Sequence, residues 1–236
     1  MLMLPILPSA QIPPRFFRVQ FLTALGLLAV TALFVSEVAN STFWMLFAVA
    51  VLGCLIGSIA WHLDGAPGGS WMLGLTPLAV TACMVSGGLV QRGDADWPLF
   101  IADDVFSALV LGSATTAMLM GHSYLISPAM SITPLMRLFG ALAGSVMLRI
   151  GLACFGLWWW TSSTSPSSLG TDVMFWLPAR WLLGFIASLV LGWMAWETAR
   201  IRATQSATGI LYVVVIVCFL GELTSMLLLE RTGFVL

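Results

Sequence analysis

Residues 209–229 read GILYVVVIVCFLGELTSMLLL, twenty-one residues carrying a single charged side chain, Glu222. At 1.5 Å per residue such a segment makes a helix about 31 Å long, which matches the hydrocarbon thickness of a bilayer. Apart from Gly209, Gly221 and a few hydroxyls it offers water nothing on any face, so a soluble protein would have to bury it all round.

Working outward from this segment, six comparable stretches precede it, at about Phe17–Val38, Thr42–His62, Trp71–Gln91, Phe100–His122, Leu138–Thr161 and Trp176–Glu197. Each has roughly the twenty residues that a transmembrane helix needs. Composition agrees: 60% of the 236 residues are hydrophobic and 8% charged, with a mean hydropathy of +1.02, whereas soluble domains carry about 25% charged residues. The expected fold is all-α, a polytopic bundle of about seven transmembrane helices forming a single domain over residues 1–236, with 1–16 as an N-terminal tail. Residues 1–14, MLMLPILPSAQIPP, lack the basic start and small-residue end of a cleavable signal.

Arginines orient the chain. With the N-terminus inside, Arg15, Arg18, Arg137, Arg200 and Arg202 lie on the cytoplasmic side, and Arg92 and Arg231 lie outside with Asp94, Asp96, Asp172 and Glu230. Five against two follows the positive-inside rule and places the protein in the inner (cytoplasmic) membrane. Trp44, Trp71, Trp97, Trp176 and Trp158–Trp160 fall near span ends, as an aromatic belt does. A net charge of −1 without any basic patch excludes nucleic acid as a partner. The partners left are the lipid bilayer and other membrane-protein subunits.

Several chemistries lack their parts. There is no HExxH, no Walker A sequence and no GxGxxG. Ser123 beside His122 has no acid nearby to orient the imidazole. Cys54, Cys83, Cys154 and Cys218 fall in four different stretches without a CxxC pair, and read as small apolar side chains. The loops are short; the longest, SSTSPSSLGTDVMF at 162–175, cannot fold into a catalytic domain, so the chain is not expected to catalyse a reaction on its own.

What remains is a small set of polar residues. Arg149 and Glu222 lie about eleven and thirteen residues into spans that run in the same direction, so their depths differ by a few ångströms. A lone charge at that depth costs at least about 2.5–3.5 kcal/mol, which predicts that the two form a buried polar pair. Asp103, Asp104 and Arg180 form a second, outer cluster, read as carboxylates at a helix N-terminus with an interfacial salt bridge. His62 and His122 end the second and fourth spans, each followed by a proline, Pro67 and Pro128. On this topology both lie on the cytoplasmic side, where two imidazoles from two helices are candidate axial ligands to the iron of haem b. Ser58, one turn before His62, is the candidate partner for its second nitrogen. The alternative is that both are interfacial histidines. The pairs Gly53/Gly57 and Gly140/Gly144 have GxxxG spacing and predict close helix contacts.

Two fragments, HLDGAP at 62–67 and GELTSMLLLERTG at 221–233, resemble segments of the polytopic quinol-interacting anchor subunits of molybdopterin oxidoreductases. They cover under a tenth of the chain, and no functional residue is carried over from them. The two same-side histidines, the buried Arg and Glu, the lack of a soluble domain and the abundant Trp and Met favour a membrane-embedded subunit of a respiratory or photosynthetic electron-transfer complex, with haem b or quinone as the candidate cofactor. A small transporter or channel is the alternative, although only Pro77 interrupts a span near its middle. A cofactor-free structural or assembly subunit is the third reading.

Reporter fusions at positions 65, 130 and 205 should all report the cytoplasm. Periplasmic activity at any one of them overturns the topology drawn from the arginines.

Overall fold

A computed structural model describes residues 1–35, 40–63, 68–92, 97–127, 130–163 and 171–235. The expectations at Val38, Pro67, Asp94, Asp96, Pro128 and 164–170 lie outside the described residues, as do those for the side chains of Arg92, Trp97 and Asp172. Among the described residues eight α-helices follow one another: α1 Pro14–Val35, α2 Ser41–Ala60, α3 Gly69–Arg92, α4 Trp97–Ile126, α5 Thr133–Ser163, α6 Thr171–Ala179, α7 Ser188–Arg200 and α8 Thr204–Thr232. A π-helical segment, Arg180–Ala187, joins α6 to α7 without a break. No strand occurs among the described residues.

Local chemistry explains the boundaries. Pro14 opens α1, where its missing N–H costs nothing. Asn40 caps α2 by accepting the Phe43 N–H at 2.9 Å. Gly233, in the left-handed region at φ 73°, closes α8 with its N–H on the Leu229 carbonyl.

The chain divides into two compact units, Met1–Asp104 and Val105–Leu236. In the first, α2 packs on both α1 and α3, around Leu28, Phe43, Phe47, Ala50, Cys54 and Cys83. The segment before α1 is packed as well, with Met3, Leu4, Leu7 and Ile12 buried. Gly57 lets α1 approach, since a Cβ there would meet the Phe21 ring at 2.5 Å. In the second unit α8 runs against α6, the π segment and α7, and α5 packs on α7. Its core joins Val110 and Ala114 of α4, Leu142, Val146 and Ala153 of α5, and Val214 and Cys218 of α8. α8 and the π segment meet backbone to backbone: a Cβ on Gly221 would lie 2.4 Å from the Gly184 Cα.

Large apolar side chains point outward along the helices, among them Leu33, Phe34, Met45 and Leu78 in the first unit and Ile216 and Met226 in the second. Only lipid makes such a surface tolerable. Among the described residues, seven helical spans are long and apolar enough to cross a membrane, with the π segment inside the sixth. The protein is a polytopic helical membrane protein.

The helices outrun the predicted stretches: α4, α5 and α8 have 30, 31 and 29 residues. Hydropathy detects only the lipid-facing middle, while helix geometry continues into polar ends that tilt or protrude. The two GxxxG pairs behave differently. Gly53 and Gly57 pack against Thr76 and Phe21, whereas Gly140 and Gly144 have nothing within 4 Å of a built Cβ.

Gly221→Ala should lower stability by about 1–3 kcal/mol, because only backbone movement can admit the methyl group. Gly140→Ala should be neutral or slightly stabilising. Thermal unfolding in detergent checks both, and equal melting temperatures for the two variants contradict the backbone contact.

Candidate functional site

The buried stripe of α8 contains Leu211, Val214, Cys218, Gly221, Glu222, Ser225 and Leu228, the i, i+3, i+4 spacing of an inward face. Glu222 therefore points into the second unit, where three other elements supply donors. From α5, the Arg149 Nε lies 3.3 and 3.2 Å from the two carboxylate oxygens, and its Nη2 donates to Oε2 at 3.0 Å. From the start of the π segment, Arg180 Nη1 donates to Oε1 at 3.1 Å. From α4, the Ser107 hydroxyl donates to Oε2 at 2.6 Å. Arg149 Nη2 also donates to the Ser225 hydroxyl at 3.0 Å. The three charged residues are 0–4% exposed. The Arg180 guanidinium further sits 4.5 Å from the centroid of the Phe185 ring, within cation–π range.

Backbone geometry makes this meeting possible. Pro178 has no N–H to give the helix, and the wider π turn begins two residues later. Gly184 against Gly221 then brings the π segment close enough for the Arg180 side chain to reach Glu222. Charge-assisted bonds of this kind offset the desolvation of each ion only because several donors converge on one carboxylate.

The structure thus brings Arg149 and Glu222 together and adds Arg180, which the sequence reading assigned to another cluster. Arg180 is fully buried and pairs with Glu222. Asp103 and Asp104 belong to the first unit. They sit beyond the first turn of α4, which starts at Trp97, so the N-terminal cap reading does not hold. Asp103 is buried, and the Asp104 carboxylate lies over Gly88, where a Cβ would meet Oδ2 at 2.7 Å. Ser107 and Ser225 were missed. Their signal is spacing: Ser225 lies one turn from Glu222, and Ser107 one turn beyond Asp103 and Asp104.

His62 belongs to the first unit and His122 to the second, and both are exposed. The Arg18 Nη1 lies 3.0 Å from His62 Nδ1. A guanidinium can only donate, so Nδ1 accepts and the neutral ring keeps its proton on Nε2. The residue expected to orient the ring, Ser58, donates instead to the Leu55 carbonyl. Glu197 and Arg200 form an exposed pair at 3.5 Å. Among the described residues no three His, Cys, Asp or Glu side chains converge as metal ligands.

No protein family, curated protein or solved structure matches the chain.

Glu222→Gln should cost more stability than Arg149→Gln, because it leaves two guanidiniums without their shared carboxylate, whereas Arg149→Gln leaves Glu222 with Arg180 and Ser107. A loss of about 3–5 kcal/mol is expected for Glu222→Gln. Melting curves with size-exclusion profiles in detergent decide the order, and the reverse order contradicts the shared-carboxylate geometry.

Proposed function

We propose that the chain is a membrane-embedded subunit of an electron-transfer complex of the cytoplasmic membrane, and that it serves a quinone through its second unit. The observation that carries this reading is a carboxylate held by two guanidiniums and a serine hydroxyl inside the apolar spans. Intramembrane ionisable groups are costly to keep, and they mark proton paths and polar ligand sites. A π segment at the same level strengthens the reading, because such segments are frequent at functional sites. Arg149, Arg180 and Ser107 are the donors for a quinone carbonyl oxygen, and Glu222 is the group able to exchange a proton with a reduced head group. The redox centre then belongs to a partner subunit. Haem ligation by His62 and His122 has less support, since the His62 Nδ1 is engaged by Arg18.

One observation favours a cofactor-free structural subunit instead. Both Glu222 oxygens already accept from two residues each, Oε1 from Arg149 and Arg180, Oε2 from Arg149 and Ser107. A carboxylate satisfied in this way also works as a lock between helices.

Titration of the purified protein with short-chain benzoquinone and naphthoquinone, followed by tryptophan fluorescence, separates the two. The quinone reading expects saturable quenching that weakens roughly tenfold or more in Arg149→Gln, as follows from losing one charge-assisted bond. Non-saturable quenching, equal in wild type and variant, leaves the lock as the function of the cluster. A Soret band in the purified protein would restore the haem reading.

A further inference from the structure

Outside the charge cluster, the second unit carries a groove of about 310 Å³ between α5 and α7. Phe139, Gly140 and Ala143 form one wall, and Gly192, Trp193 and Trp196 the other, with Ser188 at the inner end. From Ser188 to Trp196 it runs about 12 Å along α7. Gly140 leaves it open, with nothing within 4 Å of a built Cβ, and the tryptophans make a flat apolar side. α5 and α7 lie in consecutive spans and so run antiparallel, with Leu142 against Gly192. The start of α5 and the end of α7 therefore share one end of the unit.

That end is basic. Arg137 lies one turn from Gly140 on the same face of α5, and Arg200 one turn from Trp196 on the same face of α7. The Arg200 guanidinium sits 5.5 Å from the centroid of the Trp196 ring, at the mouth of the groove. Arg202 follows in the turn before α8; its left-handed backbone at φ 60° closes α7, with its N–H on the Ala199 carbonyl and the Ala203 N–H on the Thr198 carbonyl. Among the described residues, Glu197 is the carboxylate at this end of α7, and it pairs with Arg200. All three arginines are exposed.

We infer that this groove is a binding site for an anionic glycerophospholipid, with one acyl chain between α5 and α7 and the phosphate at Arg137, Arg200 and Arg202. Charge complementarity chooses the occupant. A neutral isoprenoid ligand would fill the groove but bring no negative charge to its basic end. A symmetric second copy would bring the same arginines toward their own equivalents, which repel. An anionic head group above an apolar tail satisfies both ends, and basic pockets between spans are where such head groups bind. The site is independent of the quinone reading, because it uses none of Arg149, Arg180 or Glu222.

The full chain reconstituted in phosphatidylcholine vesicles tests it, with increasing mole fractions of phosphatidylglycerol brominated on its acyl chains as the quencher of tryptophan fluorescence. The expected result is stronger quenching by brominated phosphatidylglycerol than by brominated phosphatidylcholine, with the excess lost in Trp193→Phe/Trp196→Phe. Arg137→Gln/Arg200→Gln should weaken the anionic preference by roughly ten- to thirtyfold. Gly140→Leu, which fills open space, should remove the excess quenching without changing helix content. If the double arginine variant fails to fold, Arg202→Gln in the surface turn carries the test, with a loss of roughly fivefold expected. Equal quenching by the two lipids, or a preference that survives the arginine substitutions, overturns the proposal. A native mass of two chains that Gly140→Leu reduces to one also overturns it, in favour of a second copy in the groove.

Discussion

The interior of a bilayer offers no hydrogen-bond partner, and every polar group in a span must find one within the protein. Helices settle the backbone. Hydroxyls are settled almost as locally: Thr23, Thr31, Thr81, Thr115, Ser145 and Thr208 each donate to the carbonyl four residues earlier in their own helix. These side chains ask nothing of their neighbours. A guanidinium or a carboxylate cannot be satisfied this way, so charges must be answered from another helix. Ser107 stands apart because its hydroxyl reaches across to Glu222. That departure marks it as part of the polar centre.

Close packing and charge pairing occur at the same level and depend on each other. Gly184 and Gly221 put two backbones in contact, and the residues beside them, Arg180 and Glu222, meet only because no side chain holds the helices apart. A slide of α8 by one turn would move Glu222 by about 5.4 Å. It would break the ion pairs and push side chains against the glycines. Dispersion and electrostatics thus select one register, although in lipid neither can draw on a hydrophobic driving force between helices.

The sequence made the seven spans legible, because lipid demands an apolar length that few other environments tolerate. The depth of Arg149 and Glu222 was legible for the same reason, since rise per residue is fixed. Arg180 was not. Counted from Trp176 it lies four residues into its span and looks interfacial, but the helix starts at Thr171 and turns π at Arg180. No hydropathy pattern announces a π turn. The partner of His62 was equally hidden, because Arg18 comes to it from another helix of the first unit. The two GxxxG pairs show the same limit. Spacing states that a backbone is open to approach, but only tertiary structure says whether a helix accepts, as with Gly57, or leaves the space empty, as with Gly140.

The polar centre also has an order in time. Glu222 follows Arg149 by 73 residues and Arg180 by 42. At about 5–20 residues per second, the ribosome takes on the order of 4–15 s to reach it after Arg149 is made. For the last 42 residues of that interval both arginines exist and their shared carboxylate does not. The bonds to Glu222 that tie the fifth and sixth spans to one level form only after the last helix is made. The final span thus completes the polar centre of the second unit.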